Sequence, residues 1–257
     1  MAAGAATGAR LQRVETGWRS LRQAGHLKDL LERYGVTDED DVDRLLAIQR
    51  DAASREWWTH AGSSMTSGMP RFLGIESAAV EVRAFHPGLV PGLLQTRAYA
   101  EAVHENHKLI DETTTEFMQQ NVELRMQRKE ALTRTEDPTK LWAVLYEPAL
   151  RCAIADREVM CEQYEELVKL AQRDNVTIQI LPATVRGFVA THDLSIMHLG
   201  PGLPTAVQVD TAWSTVAVSD KPREVARFGR MFDTLVASAL PPRETPEFLH
   251  RLTRETE

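Results

Sequence analysis

The order in which helix and strand patterns follow one another constrains the fold of this chain most. From residue 71 onwards, segments with helical spacing of apolar residues alternate with strand-like segments such as KLWAVLY (140–146) and NVTIQILP (175–182). Two or three more strands are predicted within 193–218, separated by the Gly-Pro-Gly-Leu-Pro turn at 200–204. Because these late strands form a meander, we predict an α+β fold with a mixed sheet and not a doubly wound parallel sheet.

The remaining elements define the predicted domain organisation. N-terminal helices are predicted at 8–17, at 26–33 and from about 37 to 55, and the small, turn-forming residues 61–70 predict a linker. Later helices are predicted at 71–79, 96–106, 113–134, 157–173, 222–239 and 244–256, with a strand at 80–85. We therefore divide the chain into a helical segment (1–60), a linker (61–70) and a mixed α/β sensor-like domain (71–257).

Composition narrows the class of protein. The 257 residues are 43% hydrophobic and 26% charged, which is ordinary for a soluble globular protein, and no apolar run approaches the roughly 20 residues that span a bilayer. Two cysteines, Cys152 and Cys161, indicate neither a disulfide framework nor a metal knuckle. The formal net charge of −7 argues against a protein that coats nucleic acid over its whole surface. We expect a cytoplasmic protein without membrane contact or a bound cofactor.

Several segments, taken in order, resemble one known family. These are LLERYGVTD (30–38), FLGIESAA (72–79), VPGLLQTRAYAEAV (90–103), ELRMQRKEAL (123–132) and DKPREVARFGRMFDTLVASALPP (220–242). They resemble an actinobacterial regulator family that joins an Xre-type helix-turn-helix to a domain of unknown function numbered 5753, and some of its members are described as antitoxin-like. The resemblance implies the fold, a regulatory role and DNA binding.

The N-terminus departs from that family. In readers of this type the second and third helices form the helix-turn-helix, and LQRVETG (11–17) resembles only the end of the third. Two interpretations stay open: the chain as given starts too late, or this member has lost DNA reading. In the first case Arg10, Gln12 and Arg13 are the candidate DNA-binding residues, because Arg and Gln suit base edges and Arg suits phosphate. Otherwise they form a solvated helix face.

A rigid corner at 87–96 is the first candidate for a ligand pocket. Its prolines and glycines bend a chain that still carries leucines inward, and Gln95 and Tyr99 could offer polar contacts to a ligand. A core junction between strand and helix is the interpretation that we favour for the corner itself. The candidate ligand-pocket residues are the polar groups on or beside predicted strands and turns: Glu81, Arg83, His86, Gln95, Tyr99 and Glu147.

Two other patterns invite a chemical interpretation and do not sustain it. Glu101 and His104 share one helical face, but a di-metal site needs a second such motif. Ser195 and His198 stand an odd number of residues apart on a predicted strand, so their side chains face opposite sides of the sheet. We therefore assign no metal ligand and no catalytic residue.

These observations favour a regulator that acts by binding. We expect a small molecule or a small protein partner to bind the later domain and to shift the N-terminal helices, in a chain that forms a homodimer. DNA is a further partner if the reader is intact upstream. One alternative is a partner-binding protein without DNA binding. Another is an enzyme of a biosynthetic gene cluster, which would use the six candidate pocket residues.

Overall fold

The computed structural model describes residues 24–39, 42, 43, 45, 46, 65, 67–185, 192–211 and 215–256. The chain forms two compact units, Met1–Gly62 and Ser63–Glu257. In the first unit, helix α1 (Ala24–Arg33) agrees with the helix predicted at 26–33. It is closed by Gly35 in the left-handed region (φ +76°), which glycine adopts without a Cβ penalty. The helix predicted at 8–17 lies outside the described residues.

The second unit has the predicted alternation of helices and strands, and the α+β class is confirmed. Its helices are α2 (Met69–Ala78), α3 (Arg97–Asp111), α4 (Thr115–Thr133), α5 (Glu147–Arg151), α6 (Arg157–Leu170), α7 (Pro222–Ser238) and α8 (Thr245–Thr256). Its strands are β1 (Glu81–His86), β2 (Lys140–Tyr146), β3 (Val176–Leu181), β4 (Leu194–His198), β5 (Ala206–Asp210) and β6 (Val216–Ser219). Among the helices that the structure describes, we find none with the length and apolar character of a membrane span.

The six strands form one sheet in the order β3-β2-β1-β4-β5-β6. Strands β1, β2 and β3 are parallel to one another, because a crossover that contains helices returns the chain each time to the end of the sheet at which the preceding strand began. The predicted meander is confirmed: β4 runs antiparallel to β1, and β5 and β6 continue antiparallel. Strands β2 and β3 therefore lie on one side of β1, and strands β4, β5 and β6 lie on its other side.

Short polar residues fix where three helices of the second unit begin. Thr96, Thr114 and Asp156 each accept a hydrogen bond from the backbone N–H three residues later, at 3.1–3.2 Å. Such N-caps satisfy a donor that a helix otherwise leaves unpaired. Helix α3 runs five residues beyond its predicted end at 106 and ends where Glu112 adopts the left-handed region (φ +51°).

Helix α2 begins at Met69, two residues earlier than predicted. Gly68 precedes it in the left-handed region (φ +86°), and a Cβ on Gly68 would overlap the backbone carbonyl of Val216. Pro70 suits the first turn of the helix, where its missing N–H costs nothing. Close contact between the chain at Gly68 and strand β6 therefore sets the start of α2.

The two faces of the sheet are covered differently. Phe85 and Val144 lie on one face and pack against Phe232 and Leu235 of α7 in a single buried cluster. The ring of Phe232 also meets that of Trp142 edge to face, with 5.9 Å between centroids. Because side chains alternate along a strand, Val82, Ala84 and His86 point to the opposite face. That second face carries the candidate functional site.

Candidate functional site

Polar side chains gather where β1 ends. His86 is the last residue of β1, Asp193 directly precedes β4, and Asp210 is the last residue of β5. Since β4 is antiparallel to β1 and β5 to β4, all three positions lie at one edge of the sheet. At this point the order of the strands in the sheet changes from β3-β2-β1 to β4-β5-β6, and the carboxyl ends of β1 and β5 lie on either side of the amino end of β4.

The three residues are connected at close range. The imidazole Nε2 of His86 lies 3.8 Å from Asp193 Oδ2. The backbone N–H of Asp210 donates to both carboxylate oxygens of Asp193 at 3.2 and 3.3 Å, and Gln208 Nε2 donates to Asp210 Oδ1 at 2.7 Å. One neutral amide and one backbone amide thus hold two carboxylates beside a histidine.

Helix α4 brings two guanidinium groups to the same region. Arg128 donates through Nε and Nη2 to both oxygens of Glu76 at 2.6 and 2.9 Å, and it lies 5.0 Å from the centre of the Phe72 ring. Arg125 donates through Nη1 to Gln95 Oε1 at 2.6 Å. Both guanidinium groups lie beside Gly92, where a Cβ would be 3.6–3.8 Å from their nitrogens. We refer to His86, Asp193, Asp210, Arg125 and Arg128 together as the carboxyl-edge cluster.

The corner at 87–96 holds Arg125 in place. Gln95 donates through Nε2 to the carbonyl of Val90 at 2.7 Å, so its Oε1 is oriented towards Arg125. Gln163 of α6 fixes the corner from the other side, accepting from Thr96 N–H and donating to the carbonyl of Leu94. The corner is therefore a buried junction, as we favoured, and its amide Gln95 also positions a charged group.

Burial changes the protonation equilibria of the cluster. Desolvation lowers the pKa of His86 to about 4, although Asp210 acts in the opposite direction. Desolvation, followed by the charge of Arg128, lowers the pKa of Arg125 to about 10. The pKa values of Asp193 and Asp210 are raised, mainly by burial and, for Asp210, also by the neighbouring carboxylate of Asp193. At neutral pH the imidazole of His86 is therefore neutral, whereas the guanidinium group of Arg125 is charged.

The low pKa of His86 predicts a distinctive titration. We expect its imidazole Cε1–H resonance to titrate near pH 4 and not near 6.5, because protonation would place a second charge in a desolvated site. The unfolded chain binds this proton at higher pH than the folded one, so the stability that a neutral His86 retains is lost as pH falls from about 6.5 through about 4. The measurement is a histidine NMR titration, with His86→Gln identifying the resonance. A midpoint close to 6.5 would contradict the prediction.

The sequence-predicted pocket residues do not gather at one place. His86, Gln95 and Tyr99 lie around the carboxyl-edge cluster, where the Tyr99 hydroxyl accepts from Val90 N–H at 3.4 Å. Burial raises the pKa of Tyr99 to about 12. Glu81 and Arg83 pair with each other at 2.8 Å on the opposite face, and Arg83 points towards Asp233 of α7.

Glu147 lies at the end of β2, where it accepts from Arg151 Nε and from the backbone N–H of Ala183. The hydrogen bond from Ala183, followed by those with Arg151, lowers its pKa against the effect of burial. Both carboxylate oxygens of Glu147 are thus used in these hydrogen bonds, and one of them binds the turn after β3. The candidate DNA-binding residues Arg10, Gln12 and Arg13 lie outside the described residues.

Sequence reasoning missed the two arginines, Glu76 and Asp210. A signal for Arg125 existed: Val122, Arg125, Lys129 and Leu132 recur at spacings of three and four, which places Arg125 and Lys129 on the stripe that faces the core. Lys129 uses this position to donate to Glu166 at 2.6 Å and to the carbonyl of Gln95. No comparable local pattern marked Glu76 or Asp210.

An open groove on the outer side of α3 and α4 is a weaker candidate. It is lined by charged and amide side chains, including Glu101, Glu105 and Gln119. Across it, Arg97 and Glu123 form an exposed ion pair at 2.8 Å. The charged side chains of this groove are therefore exposed to solvent or paired with one another. Within the described residues, no group of three His, Cys, Asp or Glu side chains could hold a metal ion.

Comparison with known proteins gives one informative result. A family model described as Domain of unknown function (DUF5753) matches residues 69–251, well over half of the chain. Neither the curated proteins nor the solved structures contain a match. The matched range includes every residue of the carboxyl-edge cluster.

Proposed function

The chain belongs to the DUF5753 family, and on that premise we propose that it is a transcription-regulator-like protein whose family domain binds a small molecule at the carboxyl-edge cluster. Arg125 is the observation that carries this proposal. Arg125 is half-buried, and among the described residues its guanidinium group has a single neutral amide as partner and no carboxylate within 4 Å. A desolvated charge without a counter-charge costs folding free energy, and such groups concentrate at functional sites.

The depth of the cluster favours a small molecule over a protein partner. Only 13% of the Arg128 side chain, 12% of Asp193 and 23% of His86 are exposed, whereas Asp210 is exposed to solvent. A folded protein could reach these groups with no more than one inserted side chain, whereas a small molecule could contact several at once. This argument supports the small-molecule form of the proposal.

The regulatory part of the proposal rests on the N-terminal segments that resemble an Xre-type reader. A ligand that binds two arrangements of the chain with different affinity shifts their populations, and we propose that the N-terminal helices respond in this way. In this proposal the protein acts in the cytoplasm as a homodimer of actinobacterial origin, with DNA as the target of the response.

Hydrogen exchange with a panel of small molecules tests the binding step. Separate pools of carboxylates, phosphates, amines, zwitterions and uncharged sugars are added to the full chain at millimolar concentration. At least one pool should slow exchange in peptides that cover 86–96, 125–128 and 193–211, because ligand binding suppresses local opening. If no pool protects these peptides, while a co-purified small protein does, the small-molecule proposal is wrong.

Fluorescence anisotropy with labelled DNA duplexes tests the regulatory step. The protecting pool should change the affinity of the full chain for DNA, or the exchange of peptides from 24–39, by an amount that saturates with ligand. Protection confined to the family domain, with both readouts unchanged, would contradict a regulatory role and leave a ligand-binding protein.

A further inference from the structure

The two guanidinium groups of α4 converge on one point of the chain. A Cβ placed on Gly92 would lie 3.6 and 3.7 Å from Nη1 and Nη2 of Arg128, and 3.8 Å from Nε of Arg125. Because glycine carries only hydrogen there, both guanidinium groups border the space beside its Cα. Gly92 and Arg125 are each partly exposed, which leaves access for a solute from outside.

Arg125 keeps free the edge of its guanidinium that suits a carboxylate. Its Nη1 donates to Gln95 Oε1 at 2.6 Å, and among the described residues its Nε and Nη2 have no partner. Nε and Nη2 lie on one edge and donate two parallel hydrogen bonds to a carboxylate, as the same two nitrogens of Arg128 do to Glu76. Nε is the Arg125 atom nearest to the Cβ position of Gly92, so the free edge lies towards this glycine.

Arg128 forms the second side of the same space. Glu76 accepts from its Nε and Nη2 at 2.6 and 2.9 Å, and the guanidinium carbon lies 5.0 Å from the centre of the Phe72 ring. Its Nη1 has no partner within the part of the chain that the structure describes, and it is the nitrogen nearest to the Cβ position of Gly92. Arg128 can therefore donate a further hydrogen bond there while Glu76 stays paired.

The charges of these groups favour a monoanion. Two guanidinium cations border the space and Glu76 balances one of them, so one positive charge has no carboxylate within 4 Å among the described residues. Burial, followed by the charge of Arg128, lowers the pKa of Arg125 to about 10, as expected for a cation without a counter-charge. One carboxylate restores the balance, whereas a dianionic phosphate leaves an excess negative charge in a desolvated site.

Together these contacts define the class of ligand. We propose, building on the proposed function, that the ligand carries a carboxylate that lies against Gly92 and accepts hydrogen bonds from Arg125 and Arg128. In this proposal, glycine at position 92 is required for binding and not for the fold. Gly92 does not adopt the left-handed region, and a Cβ on it would meet its neighbours at ordinary van der Waals distances.

A set of matched probes tests the carboxylate. Butanoate carries this group, butanamide replaces it with a neutral group of the same shape, butylamine reverses its charge, and butyl phosphate supplies a dianion. Titration of the full chain, followed by amide NMR shifts, gives the dissociation constant of each probe. Butanoate should bind about tenfold or more tightly than the other three, since only butanoate offers a planar monoanion to a desolvated guanidinium.

Two glycine variants locate the bound carboxylate. Gly92→Ala places a methyl group in the space that the two guanidinium groups border, and it should weaken butanoate binding by about fivefold or more. Gly88→Ala is the matched control, because Gly88 lies in the same corner, has no atom within 4 Å of its Cβ position and does not adopt the left-handed region. It should change the dissociation constant by no more than about twofold.

Arginine variants identify the donors. Arg125→Met should weaken butanoate binding by about tenfold or more, and Arg125→Lys should restore part of it, because the charge returns without the planar donor pair. Arg97→Met is the control, since Arg97 pairs with Glu123 on the exposed side of the same helical hairpin. Circular dichroism melts show whether each variant is folded. If Arg125→Met does not fold, Gly92→Ala decides the outcome.

Each result bears on a definite claim. Butanamide or butyl phosphate binding as tightly as butanoate would overturn the carboxylate class. Butanoate binding that survives Arg125→Met, or that Gly88→Ala weakens as much as Gly92→Ala does, would overturn the placement between the arginines. If butanoate does not bind although one of the pools protects the cluster in hydrogen exchange, the inference fails and the proposed function stands. If no pool protects the cluster either, both fail.

Discussion

Phe232→Ala is expected to lower the free energy of unfolding by about 3–5 kcal/mol, the range for a buried Phe truncated to alanine. Phe232 is fully buried at the centre of the cluster between α7 and the sheet, where it contacts Trp142 edge to face. Its removal leaves a cavity between two rigid elements that cannot close fully. Urea denaturation followed by circular dichroism measures the change.

Ile110→Ala is the matched control for this prediction. Ile110 is also a large apolar side chain on a helix, but 77% of it is exposed. Its truncation should change stability by no more than about 0.5 kcal/mol, as is usual at such surface positions. A loss at Phe232 below about 1.5 kcal/mol, or an equal loss at both positions, would contradict the packing described for α7.

Glu76→Gln is expected to lower the free energy of unfolding by about 3–5 kcal/mol, the range for breaking a buried ion pair from one side. Glu76 and Arg128 are 8% and 13% exposed in their side chains, and two hydrogen bonds join them. The glutamine keeps the size of the side chain but leaves the Arg128 charge unbalanced, next to Arg125. Urea denaturation at low and high salt measures the loss.

The ion pair between Arg97 and Glu123 provides the comparison. Its N–O distance of 2.8 Å is close to the 2.6 Å of the buried pair, but its side chains are 52% and 53% exposed. Glu123→Gln should therefore cost no more than about 1 kcal/mol. Adding Arg128→Met to Glu76→Gln should recover part of the loss, since the uncompensated charge is gone. Equal losses for Glu76→Gln and Glu123→Gln would show that burial does not set the strength of the Arg128 pair.

Local pattern was sufficient to predict most helices and strands of the second unit, although the short helix α5 (Glu147–Arg151) was not predicted. The strand at 140–146 is found at the predicted residues, because KLWAVLY combines β-branched and aromatic residues between polar ends. Asp156 caps α6 as predicted, because an N-cap bonds a donor only three residues away. The antiparallel meander also followed from the sequence, since a short Gly-Pro turn leaves few other ways to connect two strands.

The candidate site could be predicted only in part. His86 and Gln95 were identified as polar groups beside predicted turns, and both lie at the carboxyl-edge cluster. Glu81 and Arg83, selected by the same criterion, point to the other face, because the criterion did not include the alternation of side chains along β1. Arg125 lies on a long helix with many charged residues, and the criterion of polar groups beside strands and turns does not select it.

The sequence by itself determined the α+β class, the order of the described elements and the positions of their caps, because each depends on residues within a few positions of one another. The DUF5753 membership of the chain likewise follows from the order of its residues. Only the tertiary structure decided which charges meet. Arg128 and Glu76 are 52 residues apart in the chain, and Asp210 lies far beyond both. The approach of Asp210 to the end of β1 depends on the pairing of β4 with β1, which no local pattern specifies.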